Sequence, residues 1–167
     1  MRRFHRPSLL VVSSLVAAAT GCSGKADTAM PLTIETATFA PALGVDLAAS
    51  TRMPSGMYYR DLTIGTGEPV ANGRELSMRY SGWLPNGKPF DSNANGSPYV
   101  LQLGAKEVID GWDLGLVGMK VGGKRQLIIP PSLGYGAAGS PPVIPPNAIL
   151  VFNVELVAAR QPAARLP

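Results

Sequence analysis

A helical period occurs only once with any strength in this chain. Ala105, Val108, Ile109 and Trp112 stand at i, i+3, i+4 and i+7, the spacing that aligns an apolar face at 3.6 residues per turn. Gly115 and Gly118 follow near its end. The other patterned stretches have the period of strands. Leu76, Met78 and Tyr80 alternate with polar neighbours, Tyr99, Leu101 and Leu103 repeat the spacing, and residues 57–63, 126–130 and 149–157 read as further strands. Several strands with one short helix, and no strand–helix alternation, exclude a parallel sheet built by crossovers. The expectation is an α+β fold with an antiparallel sheet.

The punctuation agrees. Gly65-Thr66-Gly67 ends one strand, and Pro85-Asn86-Gly87-Lys88 is a turn whose Asn-Gly pair tolerates positive φ. Between the last two strands lie residues 131–147, where eight of seventeen residues are Pro or Gly. A connection that long in a compact domain is more often functional than idle. Gly118 and Gly123-Lys124 have the spacing of a phosphate-binding loop. However, Arg125 occupies the place of the metal-holding Ser or Thr, and the segment runs from helix to strand, so it reads as a glycine-rich turn.

The first residues have the layout of an export signal: a positive start containing Arg2, Arg3 and Arg6, an apolar run over 9–19, then Thr20-Gly21-Cys22. Ala19-Thr20-Gly21-Cys22 resembles a bacterial lipobox with Ala in place of the usual Leu. The expectation is therefore a signal peptide over 1–21 and lipidation at Cys22. A tether, partly disordered, follows over 22–53, with a short helix or strand at 43–49 as the alternative. The domain is expected over 54–158 and a tail over 159–167. Such a chain is exported and lipid-anchored to the cell envelope. Ser23 after the Cys favours an outer membrane, facing the periplasm, over an inner one.

The residue inventory excludes whole classes of chemistry. The one Cys is Cys22 and the one His, His5, is in the leader. A mature domain without imidazole or thiol has no Ser-His-Asp or Cys-His catalysis, no zinc site and no disulfide, and we expect neither metal nor cofactor. The formal charge is +4, but three of the fifteen basic residues belong to the leader, leaving twelve against eleven acidic ones. No basic stripe remains, so nucleic-acid binding is not expected.

One series of apolar and aromatic residues remains: Tyr80, Phe90, Tyr99, Val108, Ile109, Trp112, Tyr135, Val143, Ile144 and Phe152. Singly, each is a core residue. Their order and context carry more. Tyr80-Ser81-Gly82-Trp83-Leu84, Asn86-Gly87-Lys88-Pro89-Phe90-Asp91-Ser92, Val108-Ile109-Asp110-Gly111-Trp112, Leu133-Gly134-Tyr135-Gly136 and Ile144-Pro145-Pro146-Asn147 follow one another without large gaps. This succession closely resembles the FKBP family of peptidyl-prolyl isomerases, over about 56–157. The resemblance implies a twisted antiparallel β-sheet wrapped around one short α-helix, with a pocket between them.

It also implies the roles. Trp112 would form the floor under a proline ring, walled by Tyr80, Phe90, Tyr99, Val108, Ile109, Val143, Ile144 and Phe152. The Ile109 N–H and the Tyr135 hydroxyl would hold substrate carbonyls, and Asp91 would lie beside the rotating carbonyl and orient Tyr80. The implied partners are proline-containing polypeptides, with tacrolimus or rapamycin as possible ligands, and the expected state is a monomer. The reaction fits the inventory. Rotation about an X-Pro amide breaks its resonance against a barrier near ~18–20 kcal/mol, and the twisted amide is less polar than the planar one. An apolar pocket that prefers the twisted form catalyses rotation with no acid, base or nucleophile.

Three departures from the family pattern stand out. The 92–97 loop has no Arg to pair with Asp91 and is one residue short, Ser140 occupies a position often given to a large side chain, and Pro141-Pro142 stiffens the loop tip. Besides an isomerase acting on envelope proteins, the sequence admits a tethered chaperone or ligand-binding module with little turnover.

Overall fold

The computed structural model describes residues 32–161. Seven strands form one antiparallel sheet: β1 (Thr51–Arg52), β2 (Tyr58–Thr63), β3 (Glu75–Trp83), β4 (Pro89–Ser92), β5 (Tyr99–Gln102), β6 (Lys124–Ile129) and β7 (Leu150–Arg160). The order across the sheet is β1-β2-β6-β7-β3-β4, with β5 also on β3. The free edge of β3 is thus shared: Ser81–Trp83 pair with β4, and Glu75–Met78 pair with β5. Between those two short strands Asn93 bridges the edge of β3, its side chain accepting the Tyr80 N–H at 2.7 Å and its N–H donating to the Tyr80 carbonyl at 3.1 Å. Side chains of β3, β4 and β5 around this junction line the cleft described below.

One α-helix, α1 (Asp110–Gly115), packs on the inner face of the sheet. It can lie close because it presents glycine there. A Cβ on Gly111 would meet Ile129 side-chain atoms at 2.5 Å, and one on Gly115 would meet Leu127 at 2.8 Å and Met57 at 2.9 Å. Strand alternation sends Leu127 and Ile129 of β6, and Leu150, Phe152, Val154 and Leu156 of β7, into the core beneath this helix. Leu76, Met78, Leu116 and Met57 complete it, each essentially without exposure.

The helix is shorter than its sequence period implies. It begins at Asp110; Ala105 is exposed in the turns that precede it, and Val108 and Ile109 lie in the approach. These residues are held by a side chain inside the helix. Asp113, 6% exposed, accepts the N–H of Gly104 at 2.9 Å and that of Lys106 at 3.2 Å. The latter holds Lys106 at a φ of 61°, a left-handed conformation that ends any helix upstream.

The outer face of the sheet is covered as well, which corrects the reading of 22–53 as a tether. From Leu32 onward the segment is structured and belongs to the domain. Two 3₁₀ turns, Ile34–Thr36 and Pro41–Leu43, place Ile34 and Leu43 on Tyr58, Ile128, Ile149 and Val151. Polar contacts fix this strap: Gln126 Nε2 donates to the Leu43 carbonyl at 2.8 Å, Arg60 to that of Gly44 at 2.8 Å, and Tyr58 Oη to Glu35 at 2.8 Å. The alternative of local structure at 43–49 is nearer to what is found. The physical reason is apolar residues on both faces of β6 and β7. Outward-facing Ile128 and Val151 would otherwise meet water, and the strap covers them. At the other end, β7 continues to Arg160, pairing with Glu75 of β3, so the tail expected from 159 begins later. The signal segment, Cys22 and the last six residues lie outside the described residues.

Candidate active site

A cleft of about 290 Å³ opens between β3, β4, β5 and α1. Its aromatic lining comes from six places in the chain, five of them on strands or the helix and the sixth, Tyr135, on the loop after β6. Tyr80 projects from β3, Phe90 from β4, Tyr99 from β5, Trp112 from α1 and Phe152 from β7. The rings meet edge to face. Tyr80 lies 5.0 Å from Trp112 at 84°, Trp112 lies 5.4 Å from Phe152 at 84°, and Phe90 lies 5.3 Å from Phe152 at 89°. This arrangement sets the electropositive edge of one ring against the negative face of the next, an attraction beyond area burial. Trp112 is 4% exposed and contributes its ring, packed edge to face between Tyr80 and Phe152, while its buried Nε1–H has no hydrogen-bond partner among the described residues.

Gly82 makes this packing possible. Opposite Asp91 and Phe152 in the strand registers, it leaves room where a Cβ would come within 2.7 Å of the Phe90 ring and 2.8 Å of Phe152.

The polar part of the cleft is sparse. Tyr80 Oη donates to Asp91 Oδ2 at 2.7 Å. Burial first, and then this hydrogen bond, push the Tyr80 phenol well above its ordinary range. Tyr135, 41% exposed on the loop after β6, reaches the cleft, and its phenol is also raised, by burial and then by the charge of Asp91. Among the described residues its hydroxyl has no protein partner, and neither does the Ile109 N–H. Both are donors available to a ligand. Ile109 is the residue before α1, with extended backbone at φ −60° and ψ 147°. Its carbonyl is used by the Trp112 N–H at 2.9 Å, so the same residue that opens a donor to the cleft also anchors the Trp.

The lining contains no nucleophile–base pair, and no cluster of three metal-ligating side chains occurs among the described residues. What the cleft can do is seat an apolar ring on Trp112, surround it with aromatic edges and offer hydrogen bonds to carbonyl groups.

A family model described as FKBP-type peptidyl-prolyl cis-trans isomerase matches residues 66–157, more than half of the chain. The chain belongs to the FKBP family. An FK506-binding protein of Neisseria meningitidis serogroup B is 48% identical over 103 residues, covering 61% of this chain and 94% of the relative. FK506-binding protein 4 of Dictyostelium discoideum is 50% identical over 109 residues, covering 65% of this chain but 30% of the relative. The chain thus spans under a third of that larger protein. Among solved structures, FkpA from Escherichia coli is similar with a TM-score of 0.63 and 39% identity, covering 69% of this chain and 53% of FkpA. AtFKBP13 has a TM-score of 0.63 and 37% identity, covering 66% of this chain and 98% of its own.

The FKBP resemblance in the sequence gathers most of its residues at the cleft. Tyr80, Phe90, Asp91, Tyr99, Val108, Ile109, Trp112, Tyr135 and Phe152 all line it. Val143 and Ile144 do not. Ser140 and Ile144 exchange two backbone hydrogen bonds of 2.8 and 2.9 Å, closing a tight loop. That turn sends Ile144 into the core at 5% exposure and leaves Val143 in solvent at 39%. One lining residue escaped the sequence reading. Glu107 stands at the cleft, its Oε2 accepting the Gln102 N–H at 3.0 Å. Its place just before Val108-Ile109 was the available signal, masked because the helical period assigned that stretch to a helix.

Proposed function

We propose that this FKBP chain catalyses cis–trans rotation of X-Pro peptide bonds by binding the twisted amide in the Tyr80–Trp112–Phe152 well. The observation that carries this reading is the pairing of a buried, unbonded Trp112 floor with two unused donors, the Ile109 N–H and the Tyr135 hydroxyl. A planar amide is stabilised by resonance, and water stabilises the dipole that this resonance creates. Seating the proline ring on Trp112 removes water and disfavours that polar form relative to the twisted one. The free donors hold the flanking carbonyls so that rotation occurs about one bond rather than by tumbling of the whole segment. Asp91, bonded to Tyr80, stands beside the rotating carbonyl and keeps the ring that forms the wall in place. Each ~1.4 kcal/mol of preference for the twisted amide is tenfold in rate.

The same well suits tacrolimus or rapamycin, ligands that fill apolar aromatic pockets. We further propose that the chain works in the cell envelope, as a monomer, anchored through acylated Cys22. The positive start, the apolar run 9–19 and Thr20-Gly21-Cys22 support export and acylation. The native mass of the amino-terminal peptide tests this, since an unmodified Cys22 thiol would remove the anchor.

The test of the activity is exchange spectroscopy on a blocked Leu-Pro peptide with the full chain, beside Tyr135→Phe and Asp91→Ala. The expected result is rapid exchange that falls in both variants and stops with rapamycin. Exchange at the uncatalysed rate by folded wild-type protein would instead leave a tethered chaperone or ligand-binding module.

A further inference from the structure

The cleft carries two carboxylates and no cation. Asp91 enters it from β4 and Glu107 from the loop before α1, while no Lys or Arg lines it. Most other described carboxylates are matched: Glu35 with Arg52, Asp61 with Arg125, Asp110 with Lys106 and Glu155 with Lys124, at 2.6–3.5 Å. Asp91 and Glu107 accept hydrogen bonds from neutral groups, the Tyr80 hydroxyl and the Gln102 N–H. Neutral donors orient a carboxylate but leave its charge in place. The cation nearest Glu107 in sequence, Lys106, is taken by Asp110 at 2.7 Å, and Lys88, nearest Asp91, is not among the residues that line the cleft. Asp113 is also without a cation, but it is buried and saturated by two backbone N–H groups, so it does not face the cleft in this way.

Beneath these carboxylates the cleft is aromatic and aliphatic, and a low-dielectric floor concentrates the field of charges at its rim. The field extends across the opening, since the Asp91 charge is one cause of the raised Tyr135 phenol on the opposite loop.

We propose that Asp91 and Glu107 give the cleft a charge preference, so that it favours X-Pro segments with Lys or Arg next to the X-Pro pair and disfavours those with Asp or Glu there. This rests on the isomerase reading of the same cleft. The proline ring and the residue before it meet the apolar floor and would be bound alike in every case. Only the flanking side chain reaches the rim, and there it is attracted or repelled at partial exposure. A half-exposed ion pair is worth little alone, so a Lys-for-Glu exchange, which turns repulsion into attraction, changes affinity by roughly threefold to tenfold at low salt.

The experiment uses three blocked peptides containing Leu-Pro that differ only in one flanking residue: Lys, Gln or Glu. Affinity for the full chain is read by titration at low salt and at about 0.5 M salt, where screening acts over a few Å. The expected order is Lys, then Gln, then Glu, with the spread shrinking at high salt and in Glu107→Gln and Asp91→Asn. Equal affinities at low salt, or a spread that persists in the double variant, would overturn the proposal. The salt series needs no variant, so it decides the matter even where a substitution disturbs folding. Exchange of the Gln peptide is measured alongside. Acceleration with no charge order loses this proposal and keeps the isomerase, whereas charge order without acceleration does the reverse.

Discussion

Arg125 and Asp61 sit directly opposite each other on β6 and β2, joined by two parallel hydrogen bonds: Nε to Oδ1 at 2.6 Å and Nη2 to Oδ2 at 3.0 Å. The remaining guanidinium nitrogen reaches past the sheet to the carbonyls of Gly115 and Val117 at 2.8 and 3.0 Å, at the end of α1. One buried cation therefore ties the helix that carries Trp112 to the strands below it, and its plane also lies over Tyr59 at 4.4 Å. Replacing Arg125 with Met would leave the carboxylate and both carbonyls without their donor. We expect a loss of about 2–4 kcal/mol, read from urea denaturation. Asp61→Asn should cost less, because Asp61 is partly open to water.

The Tyr80–Asp91 hydrogen bond predicts a graded response. Tyr80→Phe keeps the ring against Trp112 and removes only the hydroxyl, so exchange should slow by roughly two- to tenfold with the fold retained. Trp112→Ala removes a buried ring, with an expected cost of about 3–5 kcal/mol of stability and loss of the floor. A Tyr80→Phe variant with unchanged exchange would show that Asp91 does not act through that ring.

Gly82→Ala tests the close packing around it. Its Cβ collides with Phe90 and Phe152, so the aromatic wall must shift, at a cost of about 1–3 kcal/mol. Peptide affinity should fall in parallel with melting temperature. Stability lost with affinity intact would place the strain elsewhere.

Between about pH 6 and 9 the exchange rate should be nearly flat. The described residues hold no imidazole or thiol, and the Tyr80 and Tyr135 phenols are both raised from an ordinary value near 10. A raised phenol is stabilised in its neutral form. Its contribution to stability is complete below pH 10 and disappears only as pH climbs through the raised value. A bell-shaped profile in the neutral range would point to a titrating group absent from the cleft described.

The strap has the opposite pH dependence. Glu35 is held down to about 2 by its own backbone N–H, then by the Tyr58 hydroxyl. A lowered carboxylate contributes fully above its ordinary value near 4.5 and loses that contribution as pH falls toward 2. Hydrogen-exchange protection along 32–50, corrected for the intrinsic rate at each pH, should therefore fall over that window ahead of the core. Ile34→Ala, at a position 2% exposed, should cost about 2–4 kcal/mol at neutral pH, measured by thermal melting.

Much of this protein could be read from local sequence. The strand alternation of Leu76-Met78-Tyr80, the Asn86-Gly87 turn (Gly87 at φ 85°) and the long Pro/Gly connection are local properties, and they survive in the fold. The order of the aromatic motifs named nine of the ten cleft residues through the family resemblance they carry. Tertiary contacts decided the rest. Whether 105–109 joined the helix depended on a carboxylate inside it, since Asp113 captures the Gly104 and Lys106 N–H groups and bends the approach away from helix. Whether Ile144 faced the cleft depended on its backbone exchange with Ser140. The strap's place depended on Ile128 and Val151, which need cover that no neighbour in sequence provides. Periodicity records which faces are apolar. What covers them is settled by contacts between residues far apart in the chain, whose partners a single sequence does not name.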